Sequence, residues 1–464
     1  MKDKSLRDKL NKLIEDPVTG AIKKGKNSVL TDLRYRLENI EKIHKRIKTD
    51  VAPSEKPSFT HLSRFEPVSA PVTEYRLDIQ SLASVGQRIE GEGEGFVLWE
   101  NCFALDHSHG ELLLNSIKRV PPRSFAAFSN IFLQKEFNPE SALFIDTETT
   151  GLAGGTGTLA FMIGLGFFDQ NSFKVRQYFM RDYGEEAAAL NSITKFASKF
   201  EYIISFNGKG FDIPLLQARM ILNRIKFDFS SFSHIDLLYP ARMIFKHRLE
   251  DCRLSSMERF VIRFFREDDV SSEEIPHLYF RYLRSKNPAL MDKVFYHNAM
   301  DIVSLAVLAT RIAELLDKDT ANFEFGEDIF GVGHFYYSTG NYKNAEFFFR
   351  KSFENPLPYK LRHKLLTELS IILKRTGRID EAAEIWHGMI EGQKGFAIFP
   401  YIELAKFHEH HKRSYLSAVE IVNNAVNKMQ EARSEIGASN YSEFQKELLH
   451  RLKRLERKAK TLSW

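Results

Sequence analysis

The chain has 464 residues, 43% hydrophobic and 27% charged, with a formal net charge of +5 and a pI near 8.8. At roughly 100–200 residues per domain this is a globular chain of two to four units, and its mildly basic balance permits a polyanionic partner without requiring one. The two cysteines, Cys102 and Cys252, are far apart and no stretch nears the roughly 18 apolar residues of a membrane span, which excludes a disulfide scaffold and a spanning protein and points to a cytoplasmic location.

Residues 1–75 read as a peripheral region. Two charged helical stretches, about 1–16 and 28–49, precede a segment with Pro53, Pro57, Pro67 and Pro71 that reads as a linker. The apolar core of a signal peptide is missing from MKDKSLRDKLNKLIEDP. Residues 76–140 form a small β-containing segment, in which GFVLWENCFAL, flanked by GEGEG and DHSHG, predicts a short hairpin. His107 and His109 fall in its turn and are expected to be exposed.

Residues 141–318 alternate strand and helix. SALFID predicts a strand, and 158–168 and 173–182 predict an antiparallel pair joined by the turn DQNS. A helix is expected over 185–200, a strand over 202–207, a helix over 211–222 with Pro214 in its first turn, and a strand over 234–238. A long helical region ends in NAMDIVSLAVLATRIAELL, 298–316. Three early strands followed by strand–helix alternation give a mixed sheet with helices on its faces.

Residues 325–464 change character. GNYKNAEFFFRKSF, GRIDEAAEIWHGMI and RSYLSAVEIVNNAV align, with Ala345, Ala382 and Ala418 recurring at spacings of 37 and 36. The pattern resembles tetratricopeptide repeats, which implies a stack of helix pairs and a surface for a protein partner. The third copy lacks the glycine that begins the other two. The last helix, FQKELLHRLKRLERKAKTLSW, is basic on one side and completes the stack.

Acids occupy telling places in the α/β region. Asp146 and Glu148 end the first strand two residues apart, on one side of an extended backbone. Such like charges repel unless a cation lies between them. Asp212 follows a strand and a Gly-rich turn in SFNGKGFDIPLL, and Asp301 lies on an apolar helix in YHNAMDIVSLAVL. Each alone has an ordinary explanation, as a cap or a solvated residue. Taken together, strand-end D-x-E, then N-x-x-x-F-D, then H-N-x-x-D resembles the DEDD exonucleases, ribonuclease-H-like enzymes, and in GLAGGTGTLAFMIGLGFF and HIDLLYPAR their YprB-type branch.

The resemblance implies an α/β ribonuclease-H-like domain and a metal-dependent 3′–5′ exonuclease acting on RNA or DNA through two Mg²⁺ or Mn²⁺ ions. Asp146 would bridge both ions, Glu148 and Asp301 would hold the ion that activates water, and Asp212 would act mostly through water. Hard divalent ions take such oxygen ligands, about 3.5–4 Å apart in two-metal sites. The general base is expected to be His297: four residues before Asp301, it shares that helix face, whereas Tyr296 at five lies roughly 140° away and packs inward. Thr149, Asn207 and Phe211 are candidate substrate contacts, the last by stacking. Asp236 is expected outside the ligand shell, and Arg242, Lys246 and Arg248 form a basic run. The rival readings are a nuclease-like scaffold whose repeats supply the function and an endonuclease on the same fold.

Overall fold

The computed structural model describes residues 86–88, 95–129, 136–151, 157–267, 269–392 and 394–461; the N-terminal helical stretches and Pro-rich linker expected over 1–75 lie outside them. All described residues fall in one unit, Tyr75–Trp464. In chain order, β1 (Gly86–Arg88) and β2 (Val97–Ala104) precede a two-stranded hairpin of β3 (Ser108–His109) and β4 (Leu112–Leu113), then α1 (Pro122–Ser129). β5 (Ala142–Thr149), β6 (Ala160–Asp169) and β7 (Ser172–Phe179) follow, then α2 (Glu186–Ala197), β8 (Tyr202–Ser205), α3 (Asp212–Leu222) and β9 (Ser233–Asp236). The domain continues with α4 (Leu238–Phe245), α5 (Leu254–Met257) running into a π turn at Glu258–Ile262, α6 (Ile275–Ser285) and α7 (Asp292–Leu316).

The main sheet has the order β1-β2-β7-β6-β5-β8-β9. β5, β8 and β9 run parallel, and the remaining pairs are antiparallel. The three-strand opening and the later strand–helix alternation therefore appear as the sequence patterns predict. The reading of GFVLWENCFAL as a local hairpin does not hold as such. β1 does pair with β2, but β2 also pairs along its whole length with β7, Val97 opposite Phe179 and Ala104 opposite Ser172. Residues 97–101 of β2 are all buried, so this strand is covered on both faces by the domain it joins.

β5 distributes its side chains by simple alternation. Phe144 enters the apolar cluster shared with α7, while Leu143 and Ile145 enter the cluster on the opposite face with Leu215 and Leu216 of α3. Helix α7 is enclosed: 18 of its 25 residues are buried. A helix buried nearly all round must find partners for every polar side chain it carries. That requirement locates the site.

The C-terminal region is all helical: α8 (Gly326–Ser338), α9 (Tyr342–Phe353), α10 (Tyr359–Arg375), α11 (Ile379–Glu391), α12 (Ile398–His410), α13 (Tyr415–Glu431) and α14 (Ala438–Thr461). Successive helices pack on one another, and Ala345, Ala382 and Ala418 are fully buried where a larger side chain would hold the helices apart. Gly377 takes φ +81° in the turn before α11, a conformation that costs an L side chain about 1–2 kcal/mol. At the equivalent point before α13 the chain places Arg413 at φ 52°. The apolar cluster runs unbroken from Phe144 through α7 to Trp386, joining the sheet domain to the helices. Arg248, just after α4, is half-buried and pairs with Asp328 of α8 at 2.9 Å, so it serves this junction and not a basic surface track.

Candidate metal centre

The carboxyl ends of parallel strands, where ligands bind in open α/β sheets, carry the acids here. Asp146 and Glu148 occupy the last turn of pleat in β5, and the β5–β6 register shifts between Glu148 and Thr149. The extra residue of this bulge, Phe161, lies on β6, opposite the strand end. Asp301 reaches the same end from α7, and Asp212, the first residue of α3, reaches it from the other face of the sheet. Thr147 Oγ1 donates to Asp212 Oδ1 at 2.5 Å. Side-chain atoms of Glu148, His297 and Asp301 lie within 4.8 Å of one another, an arrangement able to hold a metal ion. His297 Nε2 is 3.5 Å from Asp301 Oδ2, as the four-residue helical spacing dictates.

The electrostatics tie all four acids to one place. Burial and the charges of Asp301, Glu148 and Asp212 push the Asp146 carboxyl well above its ordinary range. Burial lifts Glu148 to about 8, with Asp301 and Asp212 adding to the rise and His297 opposing it. Burial likewise raises Asp212 to about 6, against the hydrogen bond from Thr147. Burial lowers His297, but the hydrogen bond to Asp269 and the charges of Asp301 and Glu148 outweigh it and bring the imidazolium up to about 9. Carboxylates crowded this way are the environment a hard cation relieves. The donor set, oxygen atoms with one imidazole, fits Mg²⁺ or Mn²⁺.

Two buried polar chains lead into this cluster, and neither was legible in the sequence. In the first, Asn298 Nδ2 donates to Asp146 Oδ2 at 3.0 Å, and Asn298 Oδ1 accepts from Gln177 Nε2 at 3.1 Å. Gln177 Oε1 accepts in turn from Asn101 Nδ2 of β2 at 3.2 Å. Asp146, Gly164 and Gln177 stand side by side across β5, β6 and β7. Asn298 bridges the outer two only because the middle position lacks a side chain: a Cβ on Gly164 would stand 2.3 Å from Asn298 Oδ1.

The second chain surrounds Arg266. Its guanidinium bonds Glu258, Asp269 and Asp301, and its Nη1 also donates to the His297 carbonyl at 3.4 Å. Ser304 Oγ donates to Glu258 Oε1, so its single proton is spent there. His109 Nε2, 2.7 Å from Ser304 Oγ, must then carry the proton of that contact, leaving Nδ1 without a partner. The expectation that His109 is exposed is therefore corrected. It is fully buried, stacked on Phe264 at 3.7 Å, and burial lowers it to about 3. His107 is half-buried. Asp269 holds His297 Nδ1 at 2.9 Å and so turns Nε2 toward Asp301 and Glu148.

The other residues singled out by sequence fall around this centre. Tyr296 is half-buried, its phenol raised mainly by burial, and it does not pack fully inward. Thr149 is buried, with Oγ1 donating to the Gly151 carbonyl at 2.9 Å. Asn207 is exposed, at φ 67°, in the turn after β8. Phe211 is half-buried against the α3-side core. Asp236 accepts from the backbone N–H groups of Asn207, Lys209 and Leu238 at 2.7–3.1 Å, which fixes that turn and starts α4.

Residues 143–313, from β5 almost to the end of α7, match the model of the RNase_H superfamily. The chain is 28% identical over 378 residues to the uncharacterised protein YprB of Bacillus subtilis (strain 168), covering 79% of this chain and 87% of that protein. The chain thus carries an RNase_H-superfamily domain, which points to nuclease chemistry, followed by an all-helical region.

Proposed function

We propose that this protein is a metal-dependent 3′–5′ exonuclease that hydrolyses phosphodiester bonds of RNA or DNA. One observation carries the reading: Asp146, Glu148, Asp212 and Asp301, drawn from β5, α3 and α7, are electrostatically joined at the end of the sheet. Arg266 is offset by Glu258 and the His297 imidazolium by Asp269, so the four acids, once deprotonated, would carry four negative charges. Two divalent cations would carry the matching positive charge. Asp146, Glu148, Asp212 and Asp301 would hold them, and bound ions supply a nucleophile at neutral pH and stabilise charge on the phosphate. His297, oriented by Asp269, takes a proton from the attacking water, an assignment its distance from Asp301 supports. Ligation of Asp301 and Glu148 would neutralise two charges that keep it protonated, which favours that role. Thr149, Asn207 and Phe211 would contact the substrate. The helical region would bind a protein partner as tetratricopeptide-like repeats, in the cytoplasm.

The scaffold reading draws on one observation, the contact of Arg266 with Asp301. End-labelled single-stranded RNA and DNA, incubated with Mn²⁺, separate the readings. Stepwise shortening from the 3′ end, lost with EDTA and with Asp146→Asn, is expected. Cleavage of a circular substrate would identify an endonuclease. Cleavage that survives Asp146→Asn would sink the site itself.

A further inference from the structure

We propose that Arg266 is a positioning residue of the metal centre: it holds one oxygen of Asp301 so that the other faces Glu148 and His297. The inference rests on the metal-dependent reading above and names a residue outside its acidic motifs.

The geometry separates a fixed clamp from a movable plug. Arg266 Nε donates to Glu258 Oε2 at 3.0 Å and Nη2 to Glu258 Oε1 at 2.5 Å, a two-point grip that a planar guanidinium donates as a fork and a lysine ammonium does not reproduce. Nη2 also donates to Asp301 Oδ1, while Asp301 Oδ2 is the oxygen on the His297 side. Nη1 turns the other way, to Asp269 Oδ2 at 3.1 Å, so one guanidinium sets the position of a proposed ligand and of the carboxylate behind His297. Glu258 is held by Ser304, and Ser304 by the fully buried His109. A plug needs room to leave; this side chain is only 10% exposed and anchored through four residues. The Arg266–Glu258 pair adds no net charge to the centre, but the Arg266 guanidinium also acts through its charge on Glu148 and His297, so the test must keep the charge and remove the grip. The anchor His109 lies on β3, before the stretch that matches the superfamily model, so the centre is braced from outside its own domain core.

Calorimetric titration of the full chain with Mn²⁺, without nucleic acid, tests this. Arg266→Lys keeps the charge and removes the fork. Mn²⁺ affinity is expected to fall about 10–100-fold, the usual effect of losing a partner behind a metal ligand, with kcat reduced and KM little changed. Ile312→Val, a fully buried position far along α7, lowers stability without touching the polar chain and should leave Mn²⁺ affinity as in the wild type. Should Arg266→Lys not fold, Glu258→Gln loosens the same grip and is expected to weaken Mn²⁺ in the same direction. A folded Arg266→Lys or Glu258→Gln with wild-type affinity overturns the positioning role. A wild-type chain that binds no Mn²⁺ overturns the metal-dependent reading instead.

Discussion

Asp146 is the side chain on which the centre depends most. It meets the charges of three other acids and is steered by Asn298. Asp146→Asn should reduce nuclease activity more than the roughly 10–100-fold typical of residues behind the ligands, measured on end-labelled RNA with Mn²⁺. Protons compete with metal at the same place. Glu148 titrates near 8 in the folded chain against an ordinary 4.5, so between those pH values the metal-free fold retains a proton that the unfolded chain releases. Stability of the metal-free protein should therefore fall as pH rises through that window. Mn²⁺ must displace the proton, so its affinity should be higher at pH 8 than at pH 6, and calorimetry showing equal affinity would contradict the account. The four acids were readable from sequence because Asp146 and Glu148 end an apolar strand, Asp212 opens a helix and Asp301 interrupts the apolar run of α7. Arg266 was not, since RFFREDD reads as an ordinary charged loop; its role depends on a π turn and on α7, whose residues stand 35 positions away at Asp301. Asn298 was in plain view beside His297, but nothing local shows that it faces Gly164.

At the scale of elements, strand pairing explains both what the sequence disclosed and what it withheld. The β6–β7 pair was legible from two β-rich runs and a short turn. The partner of β2 was not: Val97 pairs with Phe179 across more than 80 residues, and local alternation says nothing about which distant edge a strand will join. That pairing brings Asn101 to Gln177 and so extends the site beyond the acidic motifs. Gly164→Ala tests this layer. The added methyl meets the Asn298 amide, which must shift and take Asp146 with it. Activity should fall at least about tenfold and stability by roughly 1–3 kcal/mol, the range for overpacking a tight core. Activity and unfolding midpoint both unchanged would show that Asn298 does not steer Asp146.

Across the whole molecule, a continuous apolar cluster links the sheet domain to the helices that follow, and the Arg248–Asp328 pair seals the junction. Both side chains are mostly buried, 14% and 9% exposed, so removing one leaves an uncompensated charge. Arg248→Met should lower the unfolding free energy by about 3–5 kcal/mol in denaturant titration. A change under roughly 1 kcal/mol, the value of an exposed pair, would mean the junction is wetter than described. The all-helical character of the C-terminal region was legible in the sequence, and its recurring alanines are buried; at Arg413, where the third aligned block lacks a glycine, the backbone takes a left-handed turn. The central claim is that four dispersed carboxylates enclose a pair of divalent cations. A crystal soaked with Mn²⁺ and a nucleoside monophosphate measures it directly by anomalous scattering. The account predicts two peaks about 3.5–4 Å apart among Asp146, Glu148, Asp212 and Asp301. Peaks only elsewhere, or none, would contradict it.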